Sequence, residues 1–85
     1  MNYHKLPHDK IPDILKLSKR AMKVYFTLCK YADFETGLCY PGYQRIKQDA
    51  NMTAGRDVRH AIQELVDAQL ITTWLQGNKR HYQVL

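Results

Sequence analysis

The sequence predicts an α+β domain that is mainly helical, with three helices followed by a C-terminal β-hairpin. Two segments, residues 17–32 and 54–69, place apolar side chains every three or four positions, which is the period of one helix face. A third segment, residues 71–84, has two runs rich in β-branched and aromatic residues around a Gly-Asn pair, a pattern typical of a tight hairpin. A chain of 85 residues can form one modest core and is too short for most enzymes with a deep cleft. We therefore expect a binding module and not an enzyme.

The first helix is predicted from Leu17 onward, with Ser18 as its N-cap. Its lysines, which either solvate the helix or touch phosphate, form a stripe on the outward side: Lys19, Lys23 and Lys30. Its inward face holds the residues expected in the core: Ala21, Val24, Tyr25, Leu28 and Ala32.

The residues before this helix have few apolar side chains and include Pro7 and Pro12. They predict an N-terminal arm over residues 1–13, so that the folded domain spans residues 14–85. Sequence alone leaves open whether the arm covers the domain or follows a nucleic acid.

The middle of the chain is broken by Gly37, Pro41 and Gly42, which leaves room for a short strand at residues 38–40. A brief helix over residues 43–50 follows, with Ile46 and Ala50 inward. Its outward residues include Gln44 and Lys47. Residues 51–53 then form a turn.

The third helix, about residues 54–69, is predicted to begin after Thr53, whose hydroxyl can cap it. Its polar face is basic and amide-bearing in the first half and acidic in the second half, where Glu64 and Asp67 lie. The first half of that face holds Arg56, Arg59, His60 and Gln63. Its inner face is expected to hold Val58, Ala61, Ile62, Leu65, Val66 and Gln69.

The hairpin is predicted to turn at Gly77 and Asn78, which places Gln76 opposite Lys79 and Trp74 opposite His81. One hairpin face holds the residues whose apolar members should close the core: Ile71, Thr73, Leu75, Arg80, Tyr82 and Val84. Trp74 projects from the other face, where it is expected to cover the arm or to contact another chain, as in a homodimer.

The order helix, short strand, short helix, turn, helix and hairpin specifies a winged helix-turn-helix. In this fold the third helix enters the major groove and the hairpin, or wing, lies along the adjacent backbone. A net charge of +5 favours a polyanion as partner. We therefore predict double-stranded DNA as the partner, with the wing at residues 76–80 on the phosphates. The predicted contacts are Arg56, Arg59, His60 and Gln63 on the third helix, Gln44 and Lys47 on the second, and Lys79 and Arg80 on the wing.

The sequence also resembles a known family, on the segments "LSKRAMKVYFTLCKYAD", "GLCYPGYQRIKQDANMT" and "VRHAIQELVDAQLI". It is similar to the winged helix-turn-helix domains of phage and plasmid replication initiators and replisome organisers, and of related bacterial regulators. The resemblance places Arg59 and His60 on the two basic positions after Val58. It also shows two departures: Ala54 stands at the family's Ser unless one residue is inserted, and Gln69 replaces the Gly before Leu-Ile.

The resemblance implies sequence-specific binding of duplex DNA in replication initiation or transcription regulation. The alternative is a winged helix that serves as a protein-interaction or nucleoprotein assembly module and binds DNA weakly and without specificity. No cofactor is expected, and no metal either, because Cys29, Cys39 and the four histidines lack the close pairs of a zinc site. No apolar run is long enough to span a membrane, so we expect a cytoplasmic protein with reduced thiols.

Overall fold

The computed structural model describes residues 8–85. These residues form helices and a three-stranded antiparallel sheet. A 3₁₀ turn, His8–Lys10, leads into four α-helices: α1 Ile11–Leu15, α2 Lys19–Tyr31, α3 Tyr43–Asp49 and α4 Gly55–Asp67. The strands are β1 Leu38–Cys39, β2 Ile71–Gln76 and β3 Lys79–Val84. The predicted α+β, mainly helical winged helix-turn-helix is confirmed.

Helix α2 is the central helix of the core and packs against α4. As predicted, Ser18 is its N-cap, and the Ser18 hydroxyl accepts a hydrogen bond from the backbone amide of Ala21 at 3.2 Å. All the residues predicted on its inward face are buried: Ala21, Val24, Tyr25, Leu28 and Ala32. The 3.6-residue period of the sequence therefore identified this face correctly.

Helix α3 confirms the predicted short helix, with Ile46 and Ala50 buried. The helix ends at Asp49 with Ala50 as its C-cap, and the next residue, Asn51, has a left-handed φ of 56°. In this conformation the amide of Asn51 donates to the Gln48 carbonyl at 3.1 Å, and the amide of Met52 donates to the Lys47 carbonyl at 2.9 Å. Asn is one of the few residues that tolerates this conformation, so the residue type fits the tight turn before α4.

Helix α4 begins one residue later than predicted, and the prediction that Thr53 caps it is wrong. Ala54 is the N-cap, with extended backbone angles, and its carbonyl accepts the amides of Asp57 at 3.1 Å and Val58 at 3.4 Å. The Thr53 hydroxyl lies one residue too early in the chain to reach the free amides of the first turn. No side chain caps this helix start.

The end of α4 corrects a second expectation, because Gln69 does not belong to the inner face. Gln69 is exposed and adopts a left-handed φ of 60° after the C-cap Ala68. The amide of Gln69 donates to the Val66 carbonyl at 2.9 Å, and that of Leu70 donates to the Leu65 carbonyl at 3.0 Å. This pair of bonds is the helix-terminating motif for which glycine is the usual residue. The buried residue at this end is Leu70.

The sheet has the order β1-β3-β2, and the predicted hairpin register is confirmed. Gln76 pairs with Lys79 and Trp74 pairs with His81. The short strand predicted at residues 38–40 is present as β1, where Cys39 pairs with Tyr82 of β3. Since β1 follows α2 directly, it joins the hairpin to the helical part of the core.

The prediction that all apolar residues of one hairpin face close the core is wrong for Leu75. Ile71, Tyr82 and Val84 are buried, but Leu75 is 62% exposed. Leu75 pairs with Arg80 next to the turn, where the hairpin extends past the helices that it covers. Alternation places a side chain on a face of the sheet but does not say how far along the strand the core reaches.

Helix α1 was not predicted. Pro12 lies in its first turn, where a missing amide is tolerated, and Ile14 is buried against the core. The Lys10 ammonium also donates to the Gln69 carbonyl at 3.0 Å, which ties the start of the described chain to the end of α4. Residues 1–7 of the predicted arm lie outside the described residues, and the boundary between arm and domain stays a prediction.

Candidate nucleic-acid interface

Helix α4 presents one solvent-facing stripe that we call the recognition face: Arg56, Arg59, His60 and Gln63. All four side chains are exposed, as their positions on the helix predict. The buried side of the same helix is held by Val58, Ala61, Ile62 and Leu65. Packing on one side therefore fixes the direction in which the recognition face points.

Each carboxylate of α4 is engaged by a neighbouring side chain. Asp57 lies 3.6 Å from the guanidinium of Arg20, and Asp67 accepts a hydrogen bond from the Gln63 amide at 2.9 Å. Glu64 accepts two hydrogen bonds from Ser18, from the backbone amide at 2.9 Å and from the hydroxyl at 2.8 Å. These bonds from Ser18 hold the pKa of Glu64 below its usual range.

Glu64 connects two helices through its contact with Ser18, a role that the sequence did not predict. The sequence places Glu64 only in the acidic second half of the polar face, whereas its carboxylate joins the start of α2 to the middle of α4. Arg20 was missed as well, although it adjoins the first turn of α4 through Asp57. A contact between two helices leaves no signal in the period of either one.

Helix α3 carries the predicted contacts Gln44 and Lys47. Gln44 is exposed, whereas Lys47 is half-buried. Helix α3 packs against both α2 and α4, and the tight turn at Asn51 joins it to α4. The two helices with their turn form the helix-turn-helix unit.

The two predicted phosphate contacts of the wing, Lys79 and Arg80, lie on opposite faces of the hairpin tip. Lys79 and Arg80 are adjacent in β3, so their side chains leave the sheet on opposite faces. The Lys79 ammonium lies 4.9 Å from the centre of the Tyr40 ring, over its face, on the side of the sheet away from the core. Arg80 pairs with Leu75 on the face that includes the core residues. The tip of the hairpin can therefore present a cation from either face.

Neither cysteine is placed for reaction or for binding a metal ion with its neighbours. Both thiols are free and buried. Burial raises the pKa of Cys29 to about 11 and that of Cys39 to about 12. Within residues 8–85, no three His, Cys, Asp or Glu side chains are grouped so that they could hold a metal ion.

The fold and the exposed arginines in the first half of α4 define a DNA-binding domain of the helix-turn-helix class. The family model of the helix-turn-helix domain matches residues 15–71, more than half of the chain. The chain belongs to this family. No curated protein and no solved structure matches the chain. Among the described residues, none of the helices is long and apolar enough to cross a membrane.

Proposed function

We propose that the protein binds duplex DNA in a sequence-specific manner, with α4 in the major groove and the hairpin tip on the phosphates. The observation that carries this proposal is that the basic side chains of α4 are exposed while its carboxylates are bonded within the protein. Arg56, Arg59 and His60 face solvent, whereas every carboxylate of the helix has a partner within the protein. The first half of α4 therefore presents two arginines to a polyanion with Asp57 neutralised by Arg20, whereas Glu64 and Asp67, bonded to neutral groups, keep their charge in the second half of the helix.

Base reading needs side chains that match the edges of base pairs, and the recognition face has the right types. Arginine can donate two parallel hydrogen bonds to guanine, and glutamine can pair with adenine. One N–H of the Gln63 amide donates to Asp67 in the free protein, which leaves a second N–H and the carbonyl oxygen for a base. We therefore assign base contact to all four residues of the recognition face.

Contacts to phosphate fix the position of the helix and carry no sequence information. We propose Gln44 and Lys47 of α3, together with Lys79 and Arg80 of the wing, for this role. Arg20 joins them, because it lies beside the first turn of α4 and its side chain is 45% exposed. In the bound state it could contact a phosphate next to the groove while it still neutralises Asp57.

We propose replication initiation or transcription regulation, in phage, plasmid or bacterial DNA, as the biological role. Support comes from the resemblance to winged helix-turn-helix domains of replication initiators and regulators. We expect the protein to act in the cytoplasm. A homodimer on a two-fold symmetric site is compatible with this role, since paired half-sites are common for such domains.

Selection from a random duplex pool, followed by binding assays at two salt concentrations, tests the proposal. We expect the selected duplex to bind at least about a thousandfold more tightly than random duplex, as is usual for specific DNA-binding proteins. Both affinities should fall steeply as salt rises. If selection enriches no sequence and all duplexes bind equally, the domain instead serves as an assembly module that binds DNA through charge alone.

A further inference from the structure

Three aromatic rings lie side by side on the outer face of the sheet, away from the core. The ring centres of Trp74 and His81 are 5.9 Å apart and their planes differ by 20°. The ring centres of His81 and Tyr40 are 5.4 Å apart with a 37° angle. We call Tyr40, His81 and Trp74 the aromatic row. It runs from β2 across β3 to the residue that follows β1, and its Tyr40 end is 61% exposed.

The charge around the aromatic row is positive. Lys79 lies over the Tyr40 ring at 4.9 Å, and residues 68–85, which include β2 and β3, have no Asp or Glu side chain. The other outward side chains of the hairpin include Thr72, Gln76 and Gln83, which are polar and uncharged. A protein partner would need an apolar patch, but among the strand residues that face outward beside the rings, Leu38 is the aliphatic side chain and the others are polar.

An open groove of about 630 Å³ continues from the Tyr40 end of the row. Tyr31 and Arg45 are among the side chains that line it, so it adds a ring and a cation. The carboxylate of Asp33 also lines the groove, but it accepts hydrogen bonds from the backbone amides of Glu35 at 2.8 Å and Thr36 at 3.0 Å. The Tyr31 hydroxyl donates to the Asp49 carboxylate, which Arg45 also attracts, so the groove extends the aromatic surface and offers a cation that it shares with Asp49.

We propose that the aromatic row is a second nucleic-acid site, which binds unpaired bases of single-stranded DNA. Aromatic side chains on a sheet stack with bases of any sequence, while cations beside them attract the backbone. Lys79 supplies this cation at the Tyr40 end, and Arg45 supplies one in the groove. The choice of DNA over RNA follows from the DNA-binding family of the chain. The site does not include the residues of α4, although it shares Lys79 with the proposed duplex contacts of the wing.

Trp74 is the single tryptophan of the chain, so its fluorescence reports directly on the row. The test titrates the full chain with a dT oligomer of about twelve nucleotides, within the site sizes of known single-strand binders. The same titration is made with an abasic deoxyribose-phosphate oligomer of equal length and charge. We expect the dT oligomer to quench Trp74 and to bind about tenfold more tightly than the abasic one, because base stacking adds to charge.

Two variants test whether the dT oligomer binds at the aromatic row. Tyr40→Ala should weaken dT binding about tenfold while the Trp74 signal is retained. The matched control is Phe26→Ala, which removes an exposed ring from α2, away from the sheet, and should leave dT binding unchanged. Circular dichroism on each variant shows whether the fold is retained.

Arg56→Ala separates this proposal from duplex recognition. It should weaken the selected duplex and leave dT binding unchanged, so either site can fail without the other. Equal affinity for the dT and abasic oligomers would overturn the proposal, as would tighter binding of an rU oligomer than of dT. Self-association that changes Trp74 fluorescence without DNA, and is lost in Tyr40→Ala, would also overturn it, because the row would then join two copies of the chain.

Discussion

The Glu64 carboxylate shows how one side chain couples two helices and makes their stability depend on pH. It accepts two hydrogen bonds from Ser18, and these bonds favour the charged form and lower its pKa. A lowered native pKa means that the stabilisation is fully present above the pKa of Glu in the unfolded chain, about 4.3. It is lost as the pH falls through the lower native value.

We expect Glu64→Gln to lower the free energy of unfolding by about 1 to 2 kcal/mol at pH 7, because an amide accepts these hydrogen bonds less well than a carboxylate. The difference from wild type should narrow below about pH 4, where the wild-type carboxylate becomes protonated as well. Urea unfolding at several pH values measures this. Glu35→Gln, in the exposed turn before β1, is the control and should change little. A difference that stays constant down to pH 2 would contradict this role of Glu64.

Gln69 adopts a backbone conformation that glycine favours, with a φ of 60°. We expect Gln69→Gly to raise the free energy of unfolding by about 0.5 to 1 kcal/mol, because the left-handed conformation costs less without a Cβ atom. Its carbonyl, which accepts from Lys10, is kept in the variant. Thermal unfolding measures the gain. The control, Ala68→Gly, changes a right-handed position with φ of −80° and should destabilise instead. A loss of stability in Gln69→Gly would contradict the conformational argument.

At the scale of elements, the wing should contribute affinity and not specificity. The hairpin tip carries Lys79 and Arg80 on opposite faces, and neither position reaches base edges if α4 occupies the major groove. We expect Lys79→Ala and Arg80→Ala to weaken selected and random duplex alike. Each should reduce the slope of log affinity against log salt by about one.

Lys30→Ala is the matched control for the wing, because the Lys30 ammonium lies 3.6 Å from Asp49 within the protein. Its removal should leave the salt slope unchanged. If a wing substitution changed the preferred base sequence, the hairpin would be reading bases, and the proposed division of roles between helix and wing would be wrong.

At the scale of the whole molecule, periodicity was enough to predict most of the fold. The apolar spacing in α2 identified five buried residues correctly, and the Gly77-Asn78 turn fixed the register of six strand pairs. The alternation of inward and outward residues along β2 wrongly predicted Leu75 in the core, because a strand can extend beyond the core that it covers. Helix α1 was missed, since its five residues show no full period and only Ile14 is buried.

The candidate site was predictable only in its outward parts. The exposure of Arg56, Arg59 and His60 followed from the angle of each residue around α4. The partners of Asp57 and Glu64 are more than thirty residues away in sequence and depend on how α2 crosses α4. The aromatic row likewise needed the pairing of β1 with β3, which brings Tyr40 beside His81.

The single core also predicts the behaviour of both thiols. Cys29 and Cys39 are buried, and burial raises the pKa of Cys29 to about 11. At pH 8 we expect a thiol reagent to modify Cys29 and Cys39 only as fast as the domain unfolds. The two thiols should therefore be protected from the reagent by the same factor. The denatured chain is the control and should react at once. Fast modification of either thiol in the native protein would contradict a cooperative core around them. Elemental analysis of the same sample should show no stoichiometric zinc.

Base reading by α4 is tested most directly by the specificity ratio, the affinity for the selected duplex divided by that for random duplex. This ratio should be measured for wild type and for Arg56→Ala, Arg59→Ala, His60→Ala and Gln63→Ala. We expect at least one variant to lose about 1 to 3 kcal/mol of binding free energy for the selected duplex and much less for random duplex. The same variant should discriminate less between bases at one or two positions of the site. If all four substitutions weaken both duplexes equally, α4 does not read sequence, and the proposed function is wrong.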